Sequence, residues 1–323
     1  MTDGRLTDWA RALGLTTPIV CAPMGGVAGG RLASAVSRAG ALGMIGMGSA
    51  GSVAALEREL AALGDDFGDG GAPFGIGLVA WGIAQDPELF ERAIAARPSL
   101  VSVSFGDWSA DRAGAQADTA WIARAQAVGA LAVTQAATAD EARRAADSGV
   151  DAVIARGSEG GGHGDHREPR HSLLAEIIAA VDIPVLAAGA ISTSRDVDRV
   201  LDAGAAAAWV GTAFAACEEA LTSDAARAAL IRGGAEQTLV TRAYDVALER
   251  PWPARFPERL LRTPFIDRWH GREDELAADE VARAEFRAAA VAGDYSVVPV
   301  DAGEGVGHLT RVRPAADVVA ELS

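Results

Sequence analysis

The chain has 323 residues, half of them hydrophobic, and a formal net charge of -15; that is enough apolar material for one large α/β unit, and so acidic a balance argues against nucleic acid or an anionic membrane surface as partner. All 29 residues counted as Lys or Arg are arginine. Without lysine, Schiff-base aldolases, pyridoxal-phosphate enzymes and Walker A nucleotide sites are excluded, because each needs that amine.

The first residues include Asp3, Arg5 and Asp8 where a secretory leader would be basic and then apolar, so no such signal is expected. Short apolar runs then alternate with amphipathic ones. Strands are predicted at 18–24, 41–47, 74–80, 100–105, 130–136, 152–155, 184–188 and 205–210, each apolar on both faces, as in a covered parallel sheet. Helices are predicted between them at 31–38, 53–63, 88–96, 119–128, 140–147, 173–180 and 195–202, with an eighth from about Glu218. Thr138 and the 192–194 run supply caps, and Gly40, Gly64, Gly129, Gly149 and Gly204 supply stops. Eight such units predict a (β/α)8 TIM barrel over 1–232. The segment 233–276 breaks the rhythm with Pro251, Pro253, Pro257 and Pro264 among Trp252, Phe256, Phe265 and Trp269. It is expected to be a smaller, irregular, mostly helical subdomain on the substrate side. Residues 277–323 are expected to complete the barrel with helices and a glycine-rich loop. The apolar stretch 203–216 is too short to span a bilayer. Cys21 and Cys217 make no disulfide framework; Cys21, Met44 and Met47 read as packing residues. A cytoplasmic enzyme, monomeric or homodimeric, acting on a small molecule is the expectation.

Three glycine-rich places carry chemistry. Gly189 and Ala190 follow the seventh predicted strand, and Gly211 and Thr212 the eighth, where barrels often hold phosphate on loop amides. The run GMGSAG at 46–51 fits a dinucleotide fingerprint, but it opens the second βα unit, and Asp65 and Asp66 follow a helix end rather than a strand. The loop 157–171 holds three of the five histidines. His163 there suits a base for a carbon acid, with Glu159 either orienting it or simply facing solvent. Two further readings stand beside this: His163, His166 and His171 as metal ligands with Asp165 or Glu159, and a mobile polar loop without chemistry.

VIARGSEGGGH at 153–163 resembles the A-x-G-x-E-A-G-G-H motif of nitronate monooxygenases, formerly called 2-nitropropane dioxygenases. PIVCAPMGGVAGGRLASAVSRAGALGMIG resembles that family's first βαβ unit. IPVLAAGAIST and WVGTAFAACEEA resemble its flavin segments, and PVDAGEGVGHL its late flavin-covering loop. The resemblance runs in order from about residue 18 to the C-terminus. It implies an FMN-dependent barrel enzyme that oxidises alkyl nitronates with O2 to a carbonyl compound and nitrite, without a metal. It places the catalytic histidine on His163 and flavin contacts on Ala22, Pro23, Met24, Gln135, Gly161, Gly189, Ala190, Gly211 and Thr212. The chain departs from the family pattern at Gly160, Asp165 and His166, and at Gly77 in the third strand. Related flavin barrels are NAD(P)H-dependent FMN reductases acting on an enoyl thioester or quinone, which is the alternative reading. A non-enzymatic scaffold, with the Trp252–Trp269 excursion as an interface, is a third.

Overall fold

Strands that are apolar at successive positions must bury both faces, and a closed sheet inside a ring of helices does so. A computed structural model describes residues 6–68, 70–108 and 119–323; Asp3 and Arg5 lie outside them. The barrel strands are Ile19–Cys21 (β1), Gly43–Gly46 (β2), Phe74–Val79 (β3), Leu100–Ser104 (β4), Leu131–Ala136 (β5) and Ala152–Arg156 (β6). Gly162–His163 (β7) leaves the barrel for a second sheet, and Val185–Ala188 (β8) and Ala207–Val210 (β9) complete the eight. All pair in parallel, in the order β1-β9-β8-β6-β5-β4-β3-β2. The ring closes where the amide of Cys21 donates to the carbonyl of Leu42 and that of Leu42 to Ile19, both at 2.9 Å.

Alternate residues divide between two cores. Val20, Met44, Leu100, Val133, Ile154 and Trp209 fill the inside of the barrel together with Ala10 and Leu15. Their neighbours Cys21, Ile45, Val101, Ala132, Val153 and Ala208 join the layer under the helices. The N-terminal helix Asp8–Ala12 stoppers the inner core; Thr7 caps it by accepting from the amide of Ala10 and donates to the carbonyl of Ala206 at 2.6 Å. Thr138 caps Ala139–Asp147, and Thr193 forms a capping box with Asp196 on Ser194–Asp202.

The eighth helix is not where the rhythm put it. The helix that follows Glu218, Asp224–Arg232, buries only Ala226 and Leu230, and both line the cavity described below. The C-terminal helix Ala315–Leu322 instead packs between Gly30–Arg38 and Ser194–Asp202. It brings a full stripe to the ring: Ala315, Val318, Val319 and Leu322 are all buried in the outer core.

The excursion is also more regular than its prolines suggest. Thr238–Thr241 (β10) pairs antiparallel with Glu258–Leu261 (β11), which pairs in turn with β7. A separate small core of Ala243, Leu260, Ile266, Trp269 and Leu276 lies behind this ribbon, and it continues past 276 into Phe286 and Val298. Among the described residues no helix is long and apolar enough to cross a membrane.

Candidate active site

The carboxyl ends of the barrel strands surround a cavity of about 580 Å³, inside the range of roughly 300–1,000 Å³ usual for small-molecule sites. Ala22, Pro23 and Met24 line it after β1, Gln135 on β5, Gly161 and His163 from the histidine loop, Gly189 and Ala190 after β8, and Gly211 and Thr212 after β9. The histidine expected to be catalytic and the residues expected to contact flavin thus face one space. Gly48, Ser49 and Ala50 of the GMGSAG run line it too, as a turn; Asp65 and Asp66 are exposed and do not line it, and Asp66 pairs with Arg38 at 2.7 Å.

Glycine does specific work at two of these places. Gly189 has φ +118°, and Ala190 after it φ +46°, a left-handed backbone that costs a non-glycine residue about 1–2 kcal/mol. The Arg170 guanidinium donates to the carbonyl of Gly189 and helps to hold that turn. Gly161 lies directly on Gly303 and Ala302 of the late loop: a Cβ on Gly161 would overlap Gly303, and one on Gly303 would come within 2.8 Å of the carbonyl of Glu159. The amide of Gly303 donates to Thr212 Oγ1 at 3.0 Å. Since that hydroxyl oxygen is the acceptor, its own proton is available to a ligand oxygen. Gly77, where relatives are expected to carry Asn, faces the ring of Pro23, which would overlap a Cβ there.

The histidine loop is propped from below. Arg156, the last residue of β6, is buried and donates through Nη2 to the carbonyls of Gly160, Gly161 and Gly162 at 3.1, 2.9 and 3.1 Å. Burial, with the like charge of Arg259, pushes its pKa down to about 10. His166 lies against the carbonyls of Ser158 and Gly162 at 2.9 and 3.2 Å, and His171 is exposed. The ligand set His163, His166 and His171 is therefore not assembled. Glu159 accepts from the amide of Arg170, at the start of Arg170–Ile178, and does not orient His163. Asp165 is held by Arg167 at 2.7 Å and Arg255 at 3.3 Å.

His163 has other partners. β7 and β11 place it opposite Glu258. Its Nε2 lies 2.9 Å from Asp245 Oδ2, on the short helix Ala243–Ala247, and 3.6 Å from Glu258 Oε2. The imidazole stacks on Trp252, with centroids 3.6 Å apart and planes within 9°. Trp252 meets Phe105 and Trp81 edge-on; Phe105 itself has φ +67° at the end of β4, a conformation unusual for a bulky residue. Burial, then the charges of Asp301 and Asp245, raise the pKa of Glu258.

The model of the nitronate monooxygenase family matches residues 9–323, and a nitronate monooxygenase of Pseudomonas aeruginosa is 31% identical over 98% of both chains. The chain belongs to the nitronate monooxygenase family. Among solved structures it is similar to a nitroalkane oxidase from Streptomyces ansochromogenes (30% identity, 97% and 96% of the two chains, TM-score 0.73) and to FabK from Thermotoga maritima (25%, 98% and 94%, TM-score 0.78). As a nitronate monooxygenase family member it is an enzyme of a flavin-dependent oxidoreductase class. What the sequence alone did not single out in this nitronate monooxygenase relative is the set around the histidine: Tyr244, Asp245, Arg250, Glu258 and Asp301. The local signal is Glu258 at the head of ERLL, an acid two residues ahead of the apolar pair Leu260 and Leu261.

Proposed function

We propose that the chain binds FMN in the strand-end cavity and oxidises alkyl nitronates with O2 to a carbonyl compound and nitrite. The observation that carries this reading is His163: a nearly buried imidazole, fixed by a carboxylate and an aromatic face, on the wall of a cavity that strand-end glycines line together with Tyr244, Trp252 and Tyr295. The family match and the likeness to the Streptomyces nitroalkane oxidase support it.

The residues present fit the cofactor. Gly189, Ala190 and Gly211 offer backbone that a phosphate can approach, and Thr212 a hydroxyl proton. Ala22, Pro23, Met24, Gln135 and Gly161 would line the ring system. Bound FMN supplies the electron acceptor that a nitronate needs. The chain's own part is to hold an anion and handle a proton. Arg250 and Arg156 bring positive charge to the cavity wall; Trp252 and Phe105 exclude water above His163. His163, beside Asp245 at 2.9 Å, can take the proton of a neutral nitroalkane.

Purified protein is expected to be yellow, to release nitrite from propionate 3-nitronate or 2-propyl nitronate, and to consume O2. Flavin-loaded protein that releases no nitrite, but is bleached anaerobically by NADH or NADPH, would replace this reading with the reductase one.

A further inference from the structure

Carboxylates gather behind His163. Asp245 Oδ2 contacts Nε2 at 2.9 Å. Glu258 is fully buried, with its Oε2 3.6 Å from Nε2 and neither oxygen hydrogen-bonded; Asp301 lines the cavity and is exposed. Arg250 Nη1 stands 3.9 Å from both Asp245 Oδ1 and Glu258 Oε2 and lies over the ring of Tyr244.

We propose that Asp245 is a positioning residue that holds His163 as the Nε2–H tautomer. The inference rests on the reading of His163 as a base. In that step the C–H bond next to the nitro group breaks, its electron pair stays on the substrate as the nitronate, and the proton bonds to Nδ1. The resulting imidazolium donates from Nε2 to Asp245. The charged and titratable groups around the ring are Asp245, Tyr244 and Arg250 from 244–250, Glu258 from β11, Asp301 from the late loop, and Arg156 and His166 at the carbonyl of Gly162.

The test uses flavin-loaded protein with 15N-labelled histidine. Long-range 15N–1H correlation is expected to show His163 as Nε2–H near neutral pH; an Nδ1–H ring in the unsubstituted protein overturns the proposal, whether or not any variant folds. Asp245→Asn is expected to lower kcat/KM for neutral nitroethane about 10²-fold, within the span of general-base effects, and to change turnover of pre-formed ethyl nitronate by less than about threefold. Asp245→Glu should restore part of the loss. Equal losses on both substrates would make Asp245 merely structural. Should the protein turn over neither compound, the proposed function fails, while the tautomer still decides the role of Asp245.

Discussion

His163 and His166 are three positions apart and meet opposite fates. β7 turns one ring toward the cavity, onto Asp245 and Trp252; the other folds under the loop against two carbonyls, above the Arg156 guanidinium. Burial, with Arg156 next, pushes the pKa of His166 down from 6.5 to about 3. A histidine depressed in the folded state contributes stability that is present above the unfolded value and lost as pH falls below it. Here the loss begins near pH 6.5 and runs toward about 3, with a limiting slope of about 1.4 kcal/mol per pH unit because the unfolded chain then binds one more proton. His166→Gln keeps a side-chain amide donor and removes the titration. The midpoint of thermal unfolding, followed from pH 7 to 4, should fall less steeply in the variant than in the unsubstituted protein. Parallel curves would mean that His166 is protonated in the folded protein.

At the scale of elements, the close approach of two glycine loops joins the histidine loop to the late loop 301–308. Gly161 and Gly303 touch backbone to backbone, and the Gly303–Thr212 hydrogen bond ties the pair to the end of β9. Gly303→Ala would press its methyl onto the carbonyl of Glu159 and the amide of Gly161, at 2.8 and 2.9 Å, so the loop must lift and Thr212 must lose its donor. Because these contacts lie at the rim, flavin retention should suffer more than folding. Fluorescence titration of the apoprotein with FMN should give a Kd raised about tenfold or more, with the unfolding midpoint little changed; unaltered FMN affinity would show that the loop does not cover the cofactor. These loops were legible in the sequence because glycine marks close backbone approach wherever it occurs, and the barrel strands because burial on both faces writes itself as unbroken apolar runs. The capping threonines Thr138 and Thr193 were legible for the same local reason. Asp245, Glu258 and Asp301 were not: they lie far along the chain from His163, and the β7–β11 register that brings Glu258 to it involves a strand of two residues, too short to leave a periodic trace.

At the scale of the whole molecule, the chain closes its ring by returning. After β9 it crosses the cavity mouth with Asp224–Arg232, builds the β10–β11 ribbon and its small core, passes over the cavity with the late loop, and only then lays Ala315–Leu322 between the first and last ring helices. Local periodicity could not show this, because the helix that follows β9 in sequence is amphipathic as well, and only packing decides which of the two faces the barrel. The consequence is that barrel closure depends on the last residues of the chain. Val318, Val319 and Leu322 are each no more than 2% exposed, and burying such side chains contributes roughly 1.5–3 kcal/mol apiece. Their sum is comparable with the roughly 5–15 kcal/mol by which whole domains are stable. Ending the chain after Pro314 should therefore bring the protein close to unfolding at ambient temperature. The milder Leu322→Ala should cost about 2–5 kcal/mol, as for other fully buried leucines. Denaturant titration of both forms measures this. If the truncated chain instead unfolded at an unchanged midpoint, the eighth place in the ring would have to be held by Asp224–Arg232 after all, and the cavity mouth would lose Ala226 and Leu230 from its wall.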